Sequence, residues 1–497
     1  MKWFHKLRQV WVVVVIMIVG LFLYTHHLDK NFMFSHDSSR DMLRALELWQ
    51  KKEVTFVGPP LSFGQYTTRE LYFSSLSLYI GILGLLITKF DPLGAVLPNT
   101  LLFTLSIPLF YDLIMRLTQQ KKQALFATLL YAVSPLTVLH ARFFWNPNLI
   151  IPLAVLFWYL WVRSKEDNKT YNLLMVFGAG LVATMMFYLH YVAIVPFLFL
   201  LLVLLATRNW KKFAVGLLGL LIGLLPLIYF EAKNEFYLTN ALIHNVTQSD
   251  NLETSRRTFF IFFKAVNAFV AIPLGLENGE LEFTRLLNLS SRAIAIPICL
   301  AIGYVGWHLV QNNKKRKMLI ILSLTPFLIL LSGSGIGFYM RYVFSVYPLI
   351  IWFISEAAFM IKPYWLRAAV FVPVLFSSLS IVTAVPQTSS TFVSFPCLRE
   401  AAKIIIDQKP QGKYNVTQNI TGEARALALR YFLLKDTLVK PQDEFHYEGL
   451  DSLYVLAASE QDIYEANRWE FTATPDLTLV KTYPVCGLNI FFYEIKK

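Results

Sequence analysis

The sequence has little charge and little cysteine. Of its 497 residues only 15% are Asp, Glu, Lys or Arg, and three are Cys. Soluble globular chains carry about 25% charged residues, so the shortage argues against a soluble enzyme and against a disordered chain. Three cysteines are too few for a disulfide scaffold. No H-E-x-x-H, Walker or G-x-G-x-x-G pattern occurs, which weighs against zinc protease, ATPase and Rossmann chemistry. No internal repeat marks an inverted-repeat transporter. What abounds is apolar: 56% of the residues, with a mean hydropathy of +0.51. The formal charge of +13 would suggest nucleic acid in a soluble protein. Here it points to basic cytoplasmic loops, and no nucleic-acid partner is expected.

The apolar residues fall in long runs. The first, Val10 to Leu28, follows Lys2, Lys6 and Arg8 and reads as a retained anchor. Others lie near 95–115, 124–141, 147–162, 172–190, 192–206, 213–230, 292–310, 318–334, 338–361 and 367–385. Each approaches the length a helix needs to cross about 30 Å of hydrocarbon. One further run, Leu71 to Ile87, decides sidedness. If it does not span, the connectors bearing Arg116/Lys121/Lys122, Arg163/Lys165/Lys169, Arg208/Lys211/Lys212, Lys314–Lys317 and Lys362/Arg367 all join the basic N-terminus in the cytoplasm. The positive-inside rule prefers that choice. Ser74, Ser77, Gly81 and Gly84 also give this run a small, polar stripe, so it reads as a helix on the outer surface.

The expected architecture is an all-α polytopic membrane protein of about eleven spans, with its N-terminus inside and its C-terminus outside. Residues 1–385 form the membrane domain, with large outer loops at 29–94 and 231–291. Residues 386–497 read as a small extracytoplasmic α/β domain, with helices near 397–408 and 421–434. Strands are expected at 452–457, 477–483 and 488–495. A disulfide between Cys397 and Cys486 is compatible with that compartment, though spacing alone does not place the two sulfurs together; Cys299 falls inside a span.

The first outer loop carries the most chemistry. Asp37 and Ser38 stand where a helix should begin, and Met42, Leu43, Leu46 and Trp49 recur at helical spacing. Arg40, Arg44, Glu47 and Lys51 occupy the other face of this amphipathic helix. Asp37 has two readings. It is an N-cap for the helix, or it is a carboxylate kept ionised by the helix N-terminus and Arg40 and able to take a proton from an acceptor. Arg40 orients Asp37 or grips a phosphate. Downstream, Gly58-Pro-Pro-Leu61 predicts an extended turn, and Arg69 stands at the start of the surface helix as a phosphate contact or an interfacial anchor.

These stretches resemble the GT-C membrane glycosyltransferases, above all the protein O-mannosyltransferase and aminoarabinose lipid A transferase group (glycosyltransferase family 39 and its relatives). Ser134-Pro-Leu, Ala141-Arg-Phe-Phe and Asn146-Pro-Asn resemble the family's Ser-Pro … Arg pattern. Tyr339-Met-Arg-Tyr-Val-Phe-Ser-Val-Tyr-Pro348 resembles its late Arg-Tyr … Pro pattern. The likeness covers the whole chain in layout and is specific only in these stretches. It implies a GT-C fold around an outward-facing cavity and an inverting transfer of sugar from a polyprenyl-phosphate donor to a protein, lipid or glycan acceptor. In that resemblance Asp37 matches the catalytic Asp, and Arg40 matches an Arg of the aminoarabinose branch. Where the family usually has Asp-Glu this chain has Asp37-Ser38, which removes an acidic neighbour, disfavours a metal at this spot and leaves Asp37 alone as base; no metal is predicted.

Arg40, Arg69, Arg142 and Arg341 all fall on the outer side and are candidate ligands of the donor phosphate, whose developing charge needs cations placed in advance. For Arg142 and Arg341 the plain alternative is snorkelling at the membrane end. His140, His190, Tyr191 and Tyr339 stand near outer span ends as cavity wall, the histidines alternatively as metal ligands. The expected location is the plasma membrane of the cell envelope. Two rivals share the basic rim: a flippase for lipid-linked glycans, and a lipid-linked glycan polymerase or ligase. A transporter would carry polar or broken spans near midplane. These spans are mostly Leu, Ile, Val and Phe.

Overall fold

A computed structural model describes residues 2–61, 71–165, 169–206, 209–247, 304–309, 311, 340–360, 365–384, 388–389, 392–420, 424–465, 469–474 and 477–495. The expected spans near 318–334, most of 292–310 and most of the loop 231–291 lie outside them, as do Arg69, Cys299 and Tyr339.

The fold is mainly helical. Helix α1 (Lys2–Thr25) leads through a short turn, α2 (Leu28–Asn31), to the amphipathic helix α3 (His36–Lys51). Strands β1 (Val57–Leu61) and β2 (Leu71–Ser74) pair antiparallel, and α4 (Leu76–Ile87) follows. Two expectations change here. Gly58-Pro-Pro-Leu61 is a bulged strand rather than a turn, because prolines at an edge need give no ladder hydrogen bond. Leu71–Ser74 is strand rather than helix, since β1 supplies its backbone partners. The remaining α4 has 12 residues and spans about 18 Å at 1.5 Å per residue, too short to cross hydrocarbon.

Helices α5 (Val96–Thr118), α6 (Lys121–Val133), α7 (Pro135–Ala141), α8 (Ile150–Arg163), α9 (Lys169–Leu189), α10 (Ile194–Ala206), α11 (Trp210–Lys233) and α12 (Tyr237–Thr247) come next. Helices α13 (Tyr347–Met360) and α14 (Trp365–Thr383) close the bundle. Eleven spans were expected. Among the described residues four helical stretches are long and apolar enough to cross: Pro92–Thr118, Asn172–Leu189, Trp210–Lys233 and Val343–Met360. A fifth forms if the bent pair α6 and α7 is taken as one span; Val10–Thr25, Ile194–Ala206 and Val374–Thr383 are shorter apolar helices. This is a multi-pass membrane protein.

The run 124–141 is broken by 48° at Ser134-Pro135. Proline supplies no N–H for the ladder, and the Ser134 side chain accepts from the Thr137 N–H to start α7. The Ser134 hydroxyl also shares a hydrogen bond with that of Tyr347, so the early Ser-Pro and late Tyr-Pro stretches meet at one buried point. Nearby, the Ser378 hydroxyl donates to Val133 O and the Trp158 indole to Ser345 O at 3.0 Å.

The C-terminal segment holds α15 (Phe395–Asp407), β3 (Tyr414–Gln418), α16 (Leu427–Asp436), β4 (Ser452–Ala457), β5 (Leu477–Val485) and β6 (Leu488–Ile495). The strands form one mixed sheet in the order β3-β4-β6-β5, with β3 and β4 parallel. β3 is an element the alternation did not announce; all five of its residues are buried, which removes the in–out pattern. Helices α15 and α16 share a core with the first loop: Phe395 and Phe432 pack with Phe32 and Phe34, and Met42, Leu46 and Leu78 lie in the same cluster. The Tyr431 hydroxyl donates to Phe90 O at 2.9 Å, and Arg399 pairs with Asp91.

Candidate active site

Helix α3 is the base of the site. Its sequence alternates polar and apolar faces, and the apolar one packs on α4 and α16. The helix begins at His36, one residue earlier than the spacing suggested. Ser35 is the N-cap, its hydroxyl oxygen accepting from the Ser38 N–H at 3.4 Å. Asp37 is therefore not the cap, and its carboxylate is free for another partner.

That partner is Arg40. Its Nη1 lies 3.1 Å from Asp37 Oδ1, while Nε and Nη2 donate to Asp41 Oδ1 at 2.9 and 2.8 Å. Exposure separates the three: 44% for Asp37, 17% for Arg40 and none for Asp41. Asp41 was not anticipated. It sits beside Arg40 in sequence and shows no motif, and only its burial gives it a role. The second oxygen, Asp41 Oδ2, is buried without a hydrogen-bond partner. Burial pushes the Asp41 carboxyl up to about 6, against the pull of Arg40. Burial opposes the charge on Arg40 too, but Asp41 and Asp37 more than offset this and raise its pKa. Two carboxylates thus hold one guanidinium, one from inside and one from the open side.

The segment 142–145 connects this group to the rest of the rim. The Ser38 hydroxyl donates to Phe144 O at 2.5 Å. Gly81 on α4 lies against Phe144, and a Cβ there would come within 2.7 Å of the ring. The next residue, Trp145, lies under the Arg341 guanidinium at 5.7 Å from the ring centroid. His190, in the break between α9 and α10, packs on Phe73 of β2 at 4.8 Å. Burial pushes its imidazole down to about 3, and the Arg341 charge adds to this. The Tyr191 hydroxyl donates to Tyr72 O at 2.7 Å and fastens the same break to the hairpin.

Arg142 stands apart. Its Nη1 donates to Leu23 O at 2.5 Å, and Nη2 to His26 O at 2.8 Å and to Asn31 Oδ1 at 2.5 Å. Asn31 in turn donates to Val382 O at 2.8 Å. This arginine closes the carbonyl ends of α1 and, through Asn31, of α14. The structure thus pairs Asp37 with Arg40, and sets Arg341 over Trp145 and within electrostatic reach of His190. Arg142 it gives to helix ends, and His140 to Asn148, 2.8 Å from its Nδ1. Among the described residues no three His, Cys, Asp or Glu side chains converge as a metal set.

The described residues thus form a polytopic helical bundle whose surface helix carries an open carboxylate beside a partly buried arginine, with a mixed sheet docked on the same loop. The family model for dolichyl-phosphate-mannose-protein mannosyltransferase matches residues 75–230. The fold is similar to that of ArnT from Cupriavidus metallidurans in the apo state, with a TM-score of 0.51 and 12% identity over 98% of each chain. It is similar also to the arabinofuranosyltransferase AftD from Mycobacteria, at TM-score 0.51 and 12% identity, covering 98% of this chain and 40% of that one. No curated protein matches the sequence. The chain thus shares the fold of these two proteins, and the family match covers residues 75–230.

Proposed function

We propose that the chain is an inverting transferase that moves a sugar from a polyprenyl-phosphate donor to an acceptor on the extracytoplasmic face of the membrane. The matched family's description names a dolichyl phosphate sugar, which is the chemical class of this donor. In this reading residues 1–385 form the catalytic membrane domain and 386–497 an extracytoplasmic domain covering the first loop. The observation that carries the mechanism is the arrangement of Asp37 outside, Arg40 between and Asp41 buried.

The acceptor hydroxyl or amine attacks the anomeric carbon, and Asp37 takes its proton. The bond from that carbon to the phosphate oxygen breaks on the opposite face, so configuration inverts. The phosphate monoester of the lipid leaves with its charge, which Arg40 and Arg341 stabilise in place of water. Asp41 keeps the Arg40 fork turned toward Asp37. Phosphate leaves as a stable anion, so no general acid is required.

The test uses the purified full chain with polyprenyl-phosphate mannose as donor probe and extracted envelope lipids or protein as acceptor. Asp37→Asn should lower transfer by about 10²- to 10⁴-fold while leaving donor binding and the melting temperature near those of the parent. Undiminished turnover in D37N would sink the base assignment.

A further inference from the structure

Cys486 lies at the tip of the β5–β6 hairpin, with φ of +49°, followed by Gly487 at +81°. These two left-handed residues turn the chain tightly and set Cys486 against α15. There its thiol donates to Glu400 Oε2 at 3.3 Å. Cys397 is buried one helical turn before Glu400, so it stands on the side of α15 that the Cys486 thiol meets. Both are free thiols in this structure, and Cys486 is exposed. The third cysteine of the sequence, Cys299, is remote in the chain.

We propose that Cys397 and Cys486 are a disulfide site, closed by exchange with an extracytoplasmic dithiol–disulfide oxidoreductase. The proposal rests on the reading that residues 386–497 face the oxidising side. The exposed Cys486 thiolate attacks one sulfur of the oxidase's disulfide and gives a mixed disulfide. The Cys397 thiolate then displaces the oxidase's sulfur. Two thiol protons are released, one S–S bond forms, and the oxidase leaves as the dithiol carrying both electrons. The bond would fix the hairpin to α15, the helix that sets Phe395 against Phe32 and Phe34 and Arg399 against Asp91. It would thus clamp the sheet to the loop that carries α3.

The test is acid quenching of cells making the full chain, followed by denaturation and alkylation with a maleimide-coupled polymer, with and without prior reduction. One adduct is expected without reduction and three after it; in C486S and in C397S, two are expected in both lanes. Three adducts on the unreduced parent would overturn the proposal. A parallel sample, purified reduced and exposed to oxidised glutathione, separates the causes. Closure there but not in cells overturns it through the assumed sidedness; closure in neither overturns the pairing itself. Transfer activity of the same preparation reports on the reading of Asp37 independently.

Discussion

Two arginines at the rim of this bundle have the same charge and opposite employment. Arg40 is held by carboxylates, Asp41 from beneath and Asp37 from the open side. Arg142 is held by main-chain carbonyls and one amide at helix ends, where the last C=O groups have no partner within the helix. The first arrangement leaves an accessible carboxylate next to a fixed cation, which is a place for chemistry. The second commits three of the five N–H donors of the guanidinium to helix ends. A membrane-end arginine therefore carries no function in its charge alone; its partners decide.

The largest expected effect sharpens the first half of that comparison. General-base catalysis contributes about 10²- to 10⁴-fold, so D37N should lower the single-turnover transfer rate by that order with the fold intact. The next breaks the second half. Arg142→Met should lower stability by about 3 kcal/mol, since a buried charged hydrogen-bond set is removed and its carbonyls are left unpaired. Transfer per folded molecule, measured after thermal-shift correction, should stay near the parent's. A large loss of kcat without a change in melting would show that Arg142 belongs with Arg40 after all.

The third prediction concerns pH. Asp41 is raised to about 6, so the folded protein binds its proton more readily than the unfolded chain. Between the ordinary carboxyl range and pH 6 the native state holds the extra proton, so this group's contribution to stability declines as pH rises through that window. Catalysis runs the other way: below pH 6 Asp41 is neutral and its grip on Arg40 weakens. The rate should therefore fall on the acid side with a midpoint near 6, and Asp41→Asn should abolish that limb and hold the rate at the low plateau. An unchanged acid limb in D41N would remove Asp41 from the group. The smallest effect is Ser38→Ala, which deletes the bond to Phe144 O; a loss of about 1 kcal/mol is expected in chemical denaturation.

Much of α3 was legible, because Met42, Leu43 and Leu46 mark one face at helical spacing and all three are buried. The cap was misread by two residues: Ser35, Asp37 and Ser38 are all capping types, and only backbone direction chooses among them. The strand at Leu71–Ser74 was hidden, since its partner β1 lies some ten residues away behind a Pro-Pro pair that reads locally as a turn. The break at Ser134 was visible as a residue pair but not as a bend, for Pro at the first turn of a helix is ordinary. Asp41 was illegible. On an isolated amphipathic helix it faces solvent like Glu47, and it is buried only among the elements packed on α3.

The sequence by itself determined that this chain lives in a bilayer and that its first loop bears an amphipathic helix with Asp37 at its start. Length and periodicity of apolar residues are properties of the chain alone. Which arginine faces a carboxylate and which closes a helix was decided only by tertiary structure. So were the burial of Asp41 and the meeting of Ser134 with Tyr347. Each depends on groups far apart in the chain being desolvated together, and no local pattern encodes that.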